Sequence, residues 1–427
     1  MAAFIACFAY ARVARGPLVA AQKVSTRTAS AFALMCGAWL CGCQSLFGVD
    51  FADPAVDAAD AMAPHAPKVV NVSTSAFGTF ALLDNGSIWS WGLNTQASLG
   101  LGYASDAPAP PTRAVAFEGL GTIRMVAPGK GHTCVLNQAG QVYCLGTNQH
   151  GTLGTGSLVP AQSATPVRVV FSRPAVSLVS GDDHSCVTLN DRRAYCWGSN
   201  AKGQLGGSDV GSDRPTPAVV EGIPAPGFLP TIASGPAQTC GIDVVGALYC
   251  MGANDNGQVL LPSSESVSTP ARKTELSDMR VLAPGTQFGC ALLDEGTAKC
   301  WGANDVGQLG IGETGGLHAP KSVLGLADAR DLVAGAAHAC ALMQDGSVFC
   351  WGYNAFGQLG IGGTSDSNVR QRVQGLPPVV GLTANRSHSC AWAADGAVFC
   401  WGSNTGGPLG NGTTQDAKTP TRVIQGW

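Results

Sequence analysis

The sequence predicts an all-β protein assembled from seven copies of one unit of about 50 residues. Three observations carry that expectation. A Trp-Gly-x-Asn tetrapeptide recurs at Trp91, Trp197, Trp301, Trp351 and Trp401, with degenerate forms at Leu145 and Met251, and the anchors are 54, 52, 54, 50, 50 and 50 residues apart. Gly supplies 57 of 427 residues and Pro 25, without a G-X-Y period, so the chain turns often and carries little helix. Hairpin-turn dipeptides, Asn85-Gly86, Glu295-Gly296, Asp345-Gly346 and Asp395-Gly396, fall at one place in the unit between strand-like runs. A fixed period of this length means blades, solenoid coils or an array.

The first 67 residues stand outside the period. Arg12, Arg15, Lys23 and Arg27 precede an apolar run, Ala29 to Gly42, which at 14 residues is too short to span a bilayer as a helix. A basic region, a short apolar stretch and small residues at the cut describe a signal peptide over residues 1–42. Leu40-Cys41-Gly42-Cys43 resembles a bacterial lipobox, which implies lipidation at Cys43 and, with Gln44 following, an outer-membrane or cell-surface location; an ordinary cleaved signal, giving a secreted protein, is the alternative. Residues 43–67 are rich in Ala, Asp and Pro without alternation and read as a flexible tether. The folded domain is expected over residues 68–427.

The sixth copy shows the unit in full: Val333 opens a strand, His338 and Cys340 a second, Asp345-Gly346 turns the chain, and Cys350 and Trp351 lie on a third. Kelch repeats share the period, so the motif has to decide. Trp-Gly-x-Asn-x-x-Gly-Gln-Leu-Gly, complete at Trp301 to Gly310 and Trp351 to Gly360, resembles the regulator-of-chromosome-condensation (RCC1) repeat. The resemblance implies a seven-bladed β-propeller of four-stranded blades. Copy four departs at Gln258-Val259-Leu260 and copy seven at Pro408. The chain opens on Val69-Val70, equivalent to Leu332-Val333, and ends on Thr419 to Ile424, equivalent to Thr165 to Val170. From that phase, the C-terminal strand is expected to join the first blade and close the ring.

Twelve of the 16 cysteines fall in pairs ten residues apart around the hairpin turn: Cys134/Cys144, Cys186/Cys196, Cys240/Cys250, Cys290/Cys300, Cys340/Cys350 and Cys390/Cys400. Such partners face each other on adjacent antiparallel strands at a separation close to disulfide geometry. Zinc is the rival, but it needs four converging ligands, whereas each pair stands in a separate copy. Disulfides presuppose an oxidising compartment, in agreement with the signal. The first copy has Phe80 and Ser90 at these positions and should lack a bridge.

No catalytic, cofactor or metal constellation is nominated. His132, His184, His338 and His388 recur two residues before a Cys, but rotational symmetry spreads equivalent positions around a ring, and a turn-capping role is the expectation. Gly360-Ile-Gly362-Gly363 lacks the helix and the Gly-Lys-Ser/Thr of a phosphate loop. Charged residues make up 12% and the formal net charge is −3, which excludes a basic field for nucleic acid or an anionic membrane, so membrane attachment would be through the lipid alone.

The expected function is that of a non-enzymatic interaction module outside the cytoplasm, a monomer whose ring face binds a protein or a glycan. Contacts are expected on the least regular segments: Tyr103 to Thr112, Ser157 to Ala164, Ser208 to Thr216, Pro262 to Thr269 and Gly363 to Val369. The alternative is a secreted enzyme inhibitor, as in β-lactamase-inhibitory propellers, which would need Tyr103, Phe228, Tyr353 or Phe356 exposed on one rim. Guanine nucleotide exchange fits poorly, since the spacing leaves little room for an inserted wedge.

Overall fold

A computed structural model describes residues 66–223, 231–243, 245–260, 266–273 and 276–427. Among them the chain forms seven four-stranded antiparallel sheets, each built from four strands in chain order, and the seven make a β-propeller. The first blade comprises Val69–Thr74, Gly78–Leu83, Ile88–Asn94 and Ser105–Arg113. The seventh comprises Gly381–Asn385, His388–Trp392, Val398–Gly402 and Ala417–Arg422. One 3-10 turn, Val115–Phe117, lies between blades one and two. The signal, the lipidation candidate Cys43 and most of the tether fall outside the described residues.

Burial follows strand position. First strands of neighbouring blades pack side by side around the axis. Second strands such as Gly78–Leu83 and His132–Asn137 are buried at every residue, because both faces of the blade meet a neighbour. Fourth strands form the outer wall and are largely exposed, as in Ser105–Arg113. Six of the seven outer strands carry proline, for instance Pro108, Pro166, Pro217 and Pro420, and a residue without an N–H blunts an open edge against pairing with another chain.

Two glycine positions are set by backbone need. Gly346 turns the sixth hairpin with φ 81°, and where the third copy lacks glycine, Arg192 takes φ 75° at the same place. The Gly of Trp-Gly has both constraints: Gly352 has φ 100°, and a Cβ there would sit 2.5 Å from the Ala337 carbonyl oxygen.

Ring closure differs from the expectation. The final strand pairs within its own blade, Phe399 opposite Arg422 and Cys400 opposite Thr421, and does not enter blade one. The reason is phase: Val69 opens the innermost strand of a complete blade, so no strand is missing from the first and none is left over from the last. Closure comes from side chains. Val69, Val72, Leu83 and Trp91 share one apolar cluster with Trp392, Val398, Leu409 and Val423, and Trp427 packs on Trp89 and Trp91 at centroid distances of 5.5 and 6.4 Å.

Candidate interaction face

The repeat motif positions the loops before any functional residue is considered. Each Trp of the motif donates its indole N–H to a carbonyl in the preceding blade: Trp197 to Thr152 (2.9 Å), Trp301 to Gln258 (2.9 Å), Trp351 to Gln308 (3.1 Å) and Trp401 to Gln358 (2.9 Å). The Asn then staples the long connection between third and fourth strands. Asn354 accepts from the Leu359 N–H at 2.9 Å and donates to the Gly363 carbonyl at 3.1 Å, and Asn304 does the same with Leu309 (3.1 Å) and Glu313 (2.8 Å). These asparagines are fully buried and hydrogen-bonded, which makes them part of the scaffold.

Antiparallel alternation puts the first–second turns and the third–fourth connections of every blade on one face. All five expected contact segments belong to third–fourth connections and the outer strands they lead into, in blades one to four and six, with residues 262–265 outside the described set. On this face Phe77, Tyr103, Leu158, Val159 and Val210 are exposed, Tyr103 by 54%. Tyr353 and Phe356 are half-buried there, in a T-shaped contact at 6.2 Å, while Phe228 lies outside the described residues. Among the described residues, the large exposed apolar side chains toward the opposite face are aliphatic, including Val170, Val245 and Val380.

At the axis the first–second turns bind one another. The Lys130 N–H donates to the Asp182 carbonyl (2.8 Å) and the Asp182 N–H to Pro236 (3.2 Å); on the other arc, Thr286 donates to Ala336 (3.1 Å) and Ala336 to Arg386 (2.9 Å). The belt stops at Pro236, which has no N–H to pass on. Turns of blades two to seven enclose a cavity of about 90 Å³ that includes Ser180, Asp182, Ser234, Thr286 and Arg386 in its wall. Arg386 reaches Asp182 at 2.5 Å, from blade seven to blade three, and so forms a bar between two parts of the cavity wall. Burial and the neighbouring Asp182 push the Asp183 carboxyl above its ordinary range, against the opposing pull of His150, Lys130 and Arg386.

None of these axial charges was singled out from the sequence. A signal existed: the turn position equivalent to Lys130 and Asp182 is Pro236, Thr286, Ala336 and Arg386 in other copies, so it varies while its flanks repeat. What the repeat pattern does not show is that six such turns converge.

The four histidines are inter-blade pins. Their Nε2 atoms bond hydroxyls on the next blade, His132 to Ser185 (2.8 Å), His184 to Thr239 (2.9 Å), His338 to Ser389 (2.9 Å) and His388 to Thr79 (3.4 Å). The expected turn-capping role is thus replaced by a cross-blade bond. All four are buried, which lowers their pKa to about 4 for His132 and His388 and about 3 for His184 and His338. Among the described residues no group of His, Cys, Asp or Glu is arranged to hold a metal.

The paired cysteines sit at register partners on second and third strands, and six disulfides join them: Cys134–Cys144, Cys186–Cys196, Cys240–Cys250, Cys290–Cys300, Cys340–Cys350 and Cys390–Cys400. Phe80 and Ser90 are the equivalent partners in the first blade, and no bridge exists there.

Known proteins share this architecture. Residues 34–377 match the model of the RCC1-like domain, and residues 395–426 match the regulator of chromosome condensation (RCC1) repeat. The human probable E3 ubiquitin-protein ligase HERC6 is 31% identical over 190 residues, 44% of this chain and 18% of that protein. The ultraviolet-B receptor UVR8 of Arabidopsis thaliana is 30% identical over 221 residues, 51% of this chain and 49% of that one. The matched region thus spans half or less of either relative. Among solved structures, Prp20p of Saccharomyces cerevisiae superposes with TM-score 0.72 at 23% identity, covering 80% of this chain and 86% of that one. Human WBSCR16 superposes with TM-score 0.70 at 21% identity, covering 79% and 94%. Such identities speak for the fold alone, whereas the family model covers most of the sequence: the chain belongs to the RCC1-like family of seven-bladed β-propellers.

Proposed function

We propose that this chain is a non-catalytic interaction module displayed outside the cytoplasm, held to a membrane by a lipid on Cys43, which binds a protein partner with the face that carries its third–fourth connections. The observation that carries the compartment is the set of six disulfides, since thiols so placed persist as bridges in oxidising surroundings. The binding face is supported by Phe77 and Tyr103, aromatic side chains exposed on a scaffold whose loops are stapled in place. In yeast, Prp20 is found bound to Kap60 and binds Gsp1p and histones, so a propeller of this family serves as a protein-binding surface there.

A second reading, an inhibitor that plugs an enzyme cleft, is favoured by Tyr103 and the Tyr353–Phe356 pair lying on one face. Crosslinking in intact cells followed by recovery of the chain distinguishes them. A stoichiometric envelope protein lost in a Phe77→Ala/Tyr103→Ala variant supports the module, and a secreted hydrolase whose activity falls on binding supports the inhibitor. Recovery of cytosolic proteins only, or of polysaccharide only, overturns the proposal. Lipidation is read separately, from the mass of the N-terminal peptide and from release of a Cys43→Ala variant into the medium.

A further inference from the structure

The axial cavity carries features that neither the scaffold nor a protein-binding loop requires. Two of its wall atoms, Arg386 Nε and Ser234 Oγ, are buried without a hydrogen-bond partner, although such groups are costly to leave unpaired. Arg386, whose guanidinium forms the bar to Asp182, also adopts φ 21°, an unfavourable backbone state for a side-chain-bearing residue. The cavity volume of about 90 Å³ is several times what one buried water needs. Only a very small organic molecule fits.

Charge narrows the class. The wall carries one cation, Arg386, and one anion, Asp182, while Pro236, Thr286 and Ala336 leave the remaining arc uncharged. A simple anion that drew Arg386 from Asp182 would leave that carboxylate facing it. A simple cation at Asp182 would face Arg386 across the same few ångströms. Opening the bar without stranding either partner takes a molecule with both charges, because an uncompensated charge in a partly buried site is the expensive outcome.

We propose that the axial cavity is a binding site for a small zwitterion of the α-amino acid class, its carboxylate held by Arg386 and Ser234 and its ammonium group by Asp182. Binding exchanges one internal ion pair for two external ones. The orphaned Ser234 hydroxyl gains an acceptor, and Asp182 exchanges the guanidinium for the ammonium group. Entry requires only that the Arg386 side chain swing from Asp182, since the turns are fixed by the backbone belt.

Calorimetric titration of the purified, oxidised chain tests this with glycine and L-alanine, and with acetate and methylammonium as single-charge probes. At least one amino acid is expected to bind about tenfold more tightly than either probe, and Asp182→Asn and Ser234→Ala should each weaken it by about tenfold with the unfolding midpoint unchanged. The site is refuted if neither amino acid binds at about 10 mM, if acetate binds as well as glycine, or if both variants bind as before. Partner recovery in the crosslinking experiment depends on Phe77 and Tyr103 and not on Asp182, so the two proposals fail separately.

Discussion

The indole N–H of Trp91 donates to the carbonyl of Pro408 at 2.8 Å, and this bond joins the first blade to the last. It repeats at the seam what Trp351 does with Gln308 in mid-chain. Pro408 stands where other copies have Gln, yet only the main-chain oxygen is needed, so the departure from the motif leaves the seam intact. A ring sealed by ordinary junctions needs no exchanged strand.

Trp91→Phe keeps most of the apolar wedge and removes the donor. The loss leaves the Pro408 carbonyl with the Thr79 hydroxyl as its remaining partner at 2.8 Å, so about 1 to 2 kcal/mol of destabilisation is expected. Trp351→Phe should cost a similar amount. A denaturant midpoint for Trp91→Phe far below that for Trp351→Phe would mean that the seam is a special junction.

Acid should loosen the ring through its histidines. Folded, His132, His184, His338 and His388 stay neutral down to about 4 or 3; unfolded, they take a proton near 6.5. The unfolded state therefore binds more protons as pH falls from 6.5 toward 4, and stability drops by about 1.4 kcal/mol per pH unit for each histidine in that window. Blade four shows the substitute: Gln238 occupies the equivalent place and donates to the Gly285 carbonyl at 2.7 Å. His338→Gln should reduce the slope of stability against pH below 6.5 while the fold is kept; an unchanged slope between pH 6.5 and 5 defeats the account.

Two glycines separate space from backbone conformation. A Cβ on Gly335 would lie 2.1 Å from the His338 ring, and Gly335 does not need a positive φ; Gly362 has φ 85° with nothing within 4 Å. Gly335→Ala must displace a buried imidazole and is expected to cost about 2 to 3 kcal/mol, against about 1 to 2 for Gly362→Ala. The order of the two melting temperatures decides it.

A seventh bridge can be built but should not stabilise. Phe80 and Ser90 are register partners, and Phe80→Cys/Ser90→Cys should oxidise. Phe80 is 1% exposed in the core between blades one and two, so its loss costs about 3 to 5 kcal/mol, while a short bridged hairpin returns about 3 at most. Mass spectrometry should show the bond, and the midpoint should stay level or fall. A clear rise would mean that the cavity refills.

Much of the fold was legible because a repeat multiplies weak signals. A single Asp-Gly is a modest hint of a hairpin, but Asp345-Gly346 with its equivalents in the other copies fixes the unit, and cysteines flanking the same turn locate partners on adjacent strands. The closure was misread because the match of Val69 to Leu332 gives the phase of the chain but not which sheet an outer strand enters. That choice rests on the pairing of Arg422 with Phe399, a contact within the last blade. The histidines were recognised as recurrent, yet their bonds cross to Ser185, Thr239, Ser389 and Thr79, about 50 or more residues away in sequence.

By itself, the sequence determined the number of units, the strand-and-turn grammar of each and the partners of the paired cysteines, because those depend on residues within one copy. Tertiary structure alone decided how the ring closes and what its axis holds. Asp182 and Arg386 come from the third and seventh copies, and they meet across 204 positions of sequence. A local pattern carries no information about such a meeting, because rotation of rigid blades about a common axis, and not chain proximity, brings the charges together.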